Sequence, residues 1–99
     1  MSFPEVLAED RRLVVLRSLE EASGYSLNEG ALRRVLDHFG HRVGRDVLRA
    51  DLAWLREHGL VAIEEIEGAG GALWIGKLTQ GGLDVAQGRL HPGIARRGP

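Results

Sequence analysis

Three arginines of one predicted helix could bind a charged or hydrogen-bonding partner. Arg45, Arg49 and Arg56 fall within about 40° of one another on a helical wheel that turns about 100° per residue. The guanidinium group of arginine is a planar fork that can bind the edge of a guanine base or a phosphate group. The spacing therefore predicts a basic stripe along this helix, which is the strongest candidate for a functional site in the chain.

Further positive charge lies close to this stripe in the sequence. A histidine and an arginine come directly before the helix, and two arginines of the preceding helix could reach an adjacent phosphate backbone. The predicted DNA-binding residues are Arg33, Arg34, His41, Arg42, Arg45, Arg49 and Arg56. The alternative is a solvated charged surface, in which arginines pair with Asp46 and Glu57 at ordinary helical spacings.

Other kinds of chemistry have less support. Asp51 lies beside a predicted core stripe, where pairing with an arginine or capping a helix is favoured over catalysis. Trp54 is predicted to pack against the hairpin or the first helix. His38 and His41, three positions apart, are the best candidates for a pair of metal ligands. A metal site needs more ligands and the chain has no cysteine, so we expect no metal and no cofactor. Nothing resembling a catalytic triad, a phosphate-binding loop or a carboxylate pair indicates an enzyme.

The size and charge of the chain limit how it could bind nucleic acid. Its 99 residues suit one compact domain, and its formal net charge is −1. Affinity for nucleic acid must therefore come from a local arginine cluster rather than from the overall charge. We also expect a cytoplasmic protein, because the sequence shows no long apolar run and no basic start followed by an apolar stretch.

Local signals predict three helices in the first part of the chain. The first covers residues 2–22 and the second residues 26–39, and each begins with a serine followed three positions later by a glutamate, which is a capping box. In the second helix these residues are Ser26 and Glu29. The third helix covers residues 45–58 and ends at a glycine.

A β-hairpin and a short helix are predicted to follow. Residues 60–67 and 72–78 read as two strands joined by a glycine-rich turn, and residues 80–87 read as a last helix. The predicted order is helix, helix, helix, strand, strand, helix. Residues 1–88 form the predicted domain, and residues 89–99 are predicted to be a flexible tail.

This order and several motifs resemble those of winged helix-turn-helix proteins. The run V-L-R-A-D-L-A-W-L-R-E-H-G-L-V from Val47 to Val61 is similar to the recognition helix and the start of the wing in DeoR-type and ArsR-type bacterial regulators. The run L-T-Q-G-G from Leu78 resembles the end of such a wing. The chain is also similar to small winged-helix proteins of Mu-like prophages, including S-F-P-E-V-L from Ser2 and Y-S-L-N-E from Tyr25.

The resemblance implies an α+β winged-helix domain that binds double-stranded DNA with its third helix in the major groove. Such a protein would be a transcriptional regulator or a phage accessory factor. The alternative is a protein-interaction module of the same fold, acting in phage packaging or assembly. Glu64, Glu65 and Glu67 on the first strand of the hairpin favour a wing that points away from DNA or binds a basic partner, because phosphates would repel them.

The first helix carries more apolar residues than so small a core should bury. We therefore predict a homodimer through this helix, which would place two recognition helices about 34 Å apart. A helix that bends back on its own domain is the alternative. The predicted interface residues are Phe3, Val6, Leu7, Leu13 and Val14.

Overall fold

Four α-helices, one short 3-10 helix (Ser23–Tyr25) and three strands make up the computed structural model, which describes residues 2–97. The helices are α1 (Phe3–Glu21), α2 (Glu29–His38), α3 (Arg45–Glu57) and α4 (Gln80–Ala86). The strands are β1 (Ser26–Asn28), β2 (Val61–Gly68) and β3 (Gly71–Leu78). This α+β architecture is consistent with a winged-helix arrangement. Within residues 2–97, no helix combines the length and the apolar character needed to cross a membrane.

The three strands form one antiparallel sheet in the order β1-β3-β2. The predicted hairpin is present, since β2 and β3 pair from Val61 opposite Leu78 to Gly68 opposite Gly71. Strand β1 pairs with the other edge of β3 near its C-terminal end, where Ser26 lies opposite Lys77. The tip of the hairpin therefore extends beyond the three-stranded part of the sheet.

Strand β1 corrects the predicted start of the second helix. Ser26 lies in β1, and Asn28 is the residue that caps α2, because its side chain accepts a hydrogen bond from the backbone N–H of Ala31 at 2.8 Å. Serine and asparagine are both good N-caps, so the sequence supports either start. The pairing of Ser26 with Lys77, which lies far along the chain, decides between them.

Leucines from three helices fill the core. The fully buried leucines are Leu16, Leu19, Leu32, Leu36, Leu48, Leu52 and Leu55. Burying each such side chain contributes about 1.5–3 kcal/mol relative to leaving it exposed. The stripe of Leu48, Leu52 and Leu55 on α3 faces this core, as its spacing predicts.

The apolar residues of α1 divide between the core and the surface. Leu13 is buried in the core, so its prediction as an interface residue is wrong. Val14 packs against the core but is only half-buried. Phe3, Val6 and Leu7 are 74%, 45% and 36% exposed. The difference arises because the rest of the domain packs against the second half of α1, so its first two turns contribute little to the core.

The C-terminal segment packs against α1, which corrects the prediction of a flexible tail over residues 89–97. The Nη1 atom of Arg12 donates a hydrogen bond to the carbonyl oxygen of Gly93 at 2.9 Å. The backbone N–H of Ala95 donates to the carbonyl oxygen of Glu9 at 3.2 Å, and Ile94 is buried in the core. The last two residues of the predicted tail lie outside the described residues.

Candidate nucleic-acid interface

The middle arginine of the predicted stripe is bound within the domain. The Nε and Nη2 atoms of Arg49 donate hydrogen bonds to the two carboxylate oxygens of Glu29 at 2.9 and 2.8 Å. Its Nη2 atom also donates to the carbonyl oxygen of Ala72 at 2.8 Å. The guanidinium carbon lies 4.7 Å from the centre of the Trp74 ring. These contacts occupy the guanidinium fork, so we remove Arg49 from the candidate DNA-binding residues.

Glu29 is the buried acid that organises these contacts. It lies in the first turn of α2 and is only 3% exposed. Its carboxylate accepts a further hydrogen bond from the backbone N–H of Trp74 at 2.6 Å. The hydrogen bonds from Arg49 hold the pKa of Glu29 below its ordinary value of about 4.5, and the same bonds raise the pKa of Arg49. The pair therefore joins α2, α3 and β3.

The side chain of His41 also points into the domain, so His41 is no longer a candidate DNA-binding residue. It is buried, and its Nε2 atom lies 2.6 Å from the Oδ2 atom of Asp10 on α1. This contact holds the turn between α2 and α3 against the first helix. The sequence prediction missed it because Asp10 lies in a different predicted element.

The face of α3 that points away from the core carries no arginine. At 3.6 residues per turn, the side opposite the buried leucines holds two acids and two small residues. These residues are Asp46, Ala50, Ala53 and Glu57. Arg45 and Arg56 are exposed along the edge of this face, and the guanidinium carbon of Arg56 lies 5.9 Å from the centre of the Trp74 ring. This face of α3 therefore offers two alanine methyl groups near its centre and a carboxylate near each end.

The other exposed arginines of the prediction meet in a groove of about 610 Å³ beside α2 and the α2–α3 turn. We call it the arginine groove. Its lining residues are Gly30, Arg33, Arg34, Asp37, Arg42, Val43 and Gly44. Asp37 is the one acid among these, and it pairs with the Nε atom of Arg42 at 3.2 Å. Arg45 follows Gly44 at the start of α3. The groove thus concentrates positive charge on a chain whose net charge is near zero.

The backbone of α3 adds to this positive character. Gly44 is the N-cap of α3 and has no side chain to accept hydrogen bonds from the first N–H groups of the helix. Those groups carry the partial positive charge of the helix dipole. The carboxylate of Asp46, in the first turn of α3 and beside Gly44, offsets part of this charge, so the guanidinium groups are the main positive groups of the arginine groove.

The tip of the hairpin has the opposite charge. Glu64, Glu65 and Glu67 are exposed, and the sequence from Val61 to Gly76 contains no lysine or arginine. Ile66 and Leu73 lie opposite each other across the two strands, and both are exposed. This acidic and partly apolar tip is a poor surface for phosphates.

Two further sequence predictions are confirmed. Asp51 is buried, and Arg11 donates hydrogen bonds to its two carboxylate oxygens at 2.7 and 3.2 Å, so this acid has an orienting role. Trp54 packs against α1, where the guanidinium carbon of Arg12 lies 4.1 Å from the centre of its ring. Neither residue faces the arginine groove.

Comparison with known proteins relates the chain to phage and bacterial proteins. It is 43% identical over 96 residues to the uncharacterized protein gp26 of Escherichia phage Mu, and this alignment covers 96% of the chain and 95% of gp26. It is 49% identical over 67 residues to an uncharacterized protein of Haemophilus influenzae, covering 68% of the chain and 65% of that protein. No family model matches the chain. The chain belongs to the family of the phage Mu protein gp26.

Proposed function

We propose that this protein is a winged-helix factor that binds double-stranded DNA through the phosphate backbone, with the arginine groove as its contact surface. The observation that carries the proposal is the arginine groove itself, with Arg33, Arg34 and Arg42 in its lining and Arg45 beside it. Arginine side chains and helix N-termini are among the groups that bind phosphates in DNA complexes. In phage biology the protein would act as a regulator or as an accessory factor at DNA.

Backbone contact is favoured over base reading by the surface of α3. A helix reads bases when guanidinium or amide groups project from it into the major groove. Here Arg49 is held by Glu29, and the outward face presents Asp46 and Glu57. Arg45, at the start of the helix, remains the residue best placed to reach a base edge. We therefore expect modest sequence preference and strong salt dependence.

Titration of a labelled DNA duplex in a salt series tests the proposal. In wild-type protein, the logarithm of the affinity should fall linearly with the logarithm of the salt concentration. The double variant Arg33→Gln, Arg42→Gln should bind more weakly, and its salt slope should be smaller by about two because two phosphate contacts are lost.

A matched control separates this effect from a general loss of charge. The double variant Arg89→Gln, Arg96→Gln removes two exposed arginines that lie outside the groove, so its salt slope should stay close to that of the wild type. Equal salt slopes in the two double variants would contradict the assignment of the arginine groove as the DNA contact surface. So would a wild-type protein that fails to bind any duplex at about 50 mM salt.

A protein-interaction module is the second candidate function, and the hairpin tip favours it. Exposed Ile66 and Leu73 beside three glutamates would suit a basic partner with an apolar patch. The same titration discriminates between the two candidates, because this role does not require the arginine groove to bind DNA.

A further inference from the structure

We propose that two copies of this chain form an antiparallel dimer through one face of α1. This outer face of α1 comprises residues that recur three or four positions apart. They are Phe3, Val6, Leu7, Asp10, Val14, Arg17 and Glu21. All of them are exposed except Val14, which is half-buried. Four of the five residues predicted for a dimer interface lie on this face, and Leu13 does not.

The first two turns of the outer face are apolar and lack a partner within the described chain. Phe3 is 74% exposed and Val6 is 45% exposed, although both lie on a helix whose opposite side forms part of the core. The residues of α1 that are buried in the core are Leu13, Val15, Leu16 and Leu19. The fold therefore does not need the apolar residues of the first two turns, and such a cluster on a small domain is typical of an interaction surface.

The second half of the same face borders an apolar groove of about 540 Å³. The groove lies between α1, β1 and α2. Its apolar lining comes from Val14, Ala22, Leu27, Val35 and Phe39, and its polar lining from Arg17, Ser18, Glu21, Arg34 and His38. Phe39 is itself 62% exposed. One half of the outer face thus projects apolar side chains, and the other half borders a groove that can receive them.

Charge on the outer face favours an antiparallel pairing. Asp10 directly follows the apolar first two turns of the face, and Arg17 lies seven residues later, two turns along. A two-fold axis between them brings each Asp10 next to the partner's Arg17 and lays the first two turns of each helix over the groove of the other copy. The contact of Asp10 with His41 uses its Oδ2 atom, which leaves Oδ1 for Arg17.

An antiparallel pair fits this surface better than a parallel pair does. In a parallel pair, each Asp10 would face another Asp10 and both grooves would remain empty. In the antiparallel pair, the same patch on each copy covers its own equivalent, which closes the assembly at two chains. The axis then passes close to Val14, so apolar side chains lie at the centre of the interface.

Sedimentation equilibrium of the full chain at micromolar concentration tests the dimer. The wild type should have twice the monomer mass, and Leu7→Asp should sediment as a monomer. Leu90→Asp is the control, because Leu90 is 65% exposed but lies outside the outer face, so this variant should remain a dimer. A monomeric wild type, or a Leu7→Asp variant that dimerises as the wild type does, would overturn the proposal.

Disulfide trapping tests the antiparallel pairing directly, since the chain has no cysteine of its own. When Asp10→Cys and Arg17→Cys proteins are mixed and oxidised, the mixed dimer should be the main cross-linked product. Each variant alone should cross-link poorly, because equivalent positions would lie about 10 Å apart along the helix axis, too far for a disulfide. A product dominated by cross-links between like chains would overturn the antiparallel arrangement.

Failure of the dimer would leave the proposed DNA-binding function intact. Arg34 borders both the arginine groove and the apolar groove, and for this reason it is not substituted in the DNA titration. Arg33 and Arg42 line the arginine groove but not the apolar groove. Loss of DNA binding and loss of dimerisation can therefore be measured on separate variants.

Discussion

The carboxylate of Glu29 and the guanidinium group of Arg49 form a bidentate ion pair within the domain. Glu29 lies in the first turn of α2, where the helix dipole favours an acid, and Arg49 comes from α3. The backbone N–H of Trp74 donates to the same carboxylate and brings β3 into the arrangement. This pair therefore fixes both helices against the sheet, and with them the α2–α3 turn that lines the arginine groove together with α2.

Glu29→Ala should destabilise the protein strongly. The change leaves Arg49 without its anion and the N–H of Trp74 without this acceptor. We expect the free energy of unfolding to fall by about 3 kcal/mol, the low end for a broken buried ion pair, because Arg49 keeps some contact with water. Urea denaturation followed by circular dichroism measures this. Glu64→Ala, at an exposed site, is the control and should change stability by less than about 0.5 kcal/mol.

The same pair predicts how stability depends on pH. Because Arg49 holds the pKa of Glu29 below its ordinary value of about 4.5, the unfolded chain takes up a proton at this residue before the folded chain does. The stabilisation is fully present above the ordinary pKa and is lost as the pH falls through the folded-state pKa. Between about pH 5 and pH 2, wild-type stability should therefore fall more steeply than that of Glu29→Gln. Parallel curves for the two proteins would contradict the prediction.

The packed C-terminal segment makes Ile94 part of the core. Ile94→Ala should reduce the free energy of unfolding by about 2 kcal/mol, because Ile94 is only 8% exposed and its removal leaves a cavity. Leu90→Ala, four residues earlier and exposed, should change stability by less than about 0.5 kcal/mol. A flexible tail, as the sequence suggested, would make both substitutions neutral, so thermal or urea denaturation of the pair distinguishes the two descriptions.

Local patterns predicted the elements well because their signals lie within a few residues. The leucines at 48, 52 and 55 mark the core side of α3, and Ser2 caps α1 through the N–H of Glu5 at 3.2 Å, as its capping box predicts. Strand β1 was missed because three residues show no clear period. It exists through its pairing with β3, and nothing near Ser26 in the sequence reveals that partner.

The site was harder to predict because the fold decides which arginines stay exposed. Arg45 and Arg49 share one side of α3, so helical spacing alone treats them alike. Only Arg49 meets the buried Glu29, which comes from another helix and which the sequence marks as an ordinary capping residue. Glycine and proline near the C-terminus likewise suggested disorder, whereas the burial of Ile94 depends on its packing against the folded domain.

The acidic hairpin tip should lie away from DNA when the arginine groove is occupied. Glu64→Gln, Glu65→Gln should then change DNA affinity little, because at 0.15 M salt charges are screened over about 8 Å. Asp46→Asn serves as the positive control, since Asp46 is an exposed acid two residues from Gly44 of the arginine groove, and its neutralisation should tighten binding. Both variants are compared with the wild type in the same salt series. A large and strongly salt-dependent gain for the double glutamine variant would mean that the hairpin lies along the phosphate backbone and that its glutamates limit affinity there.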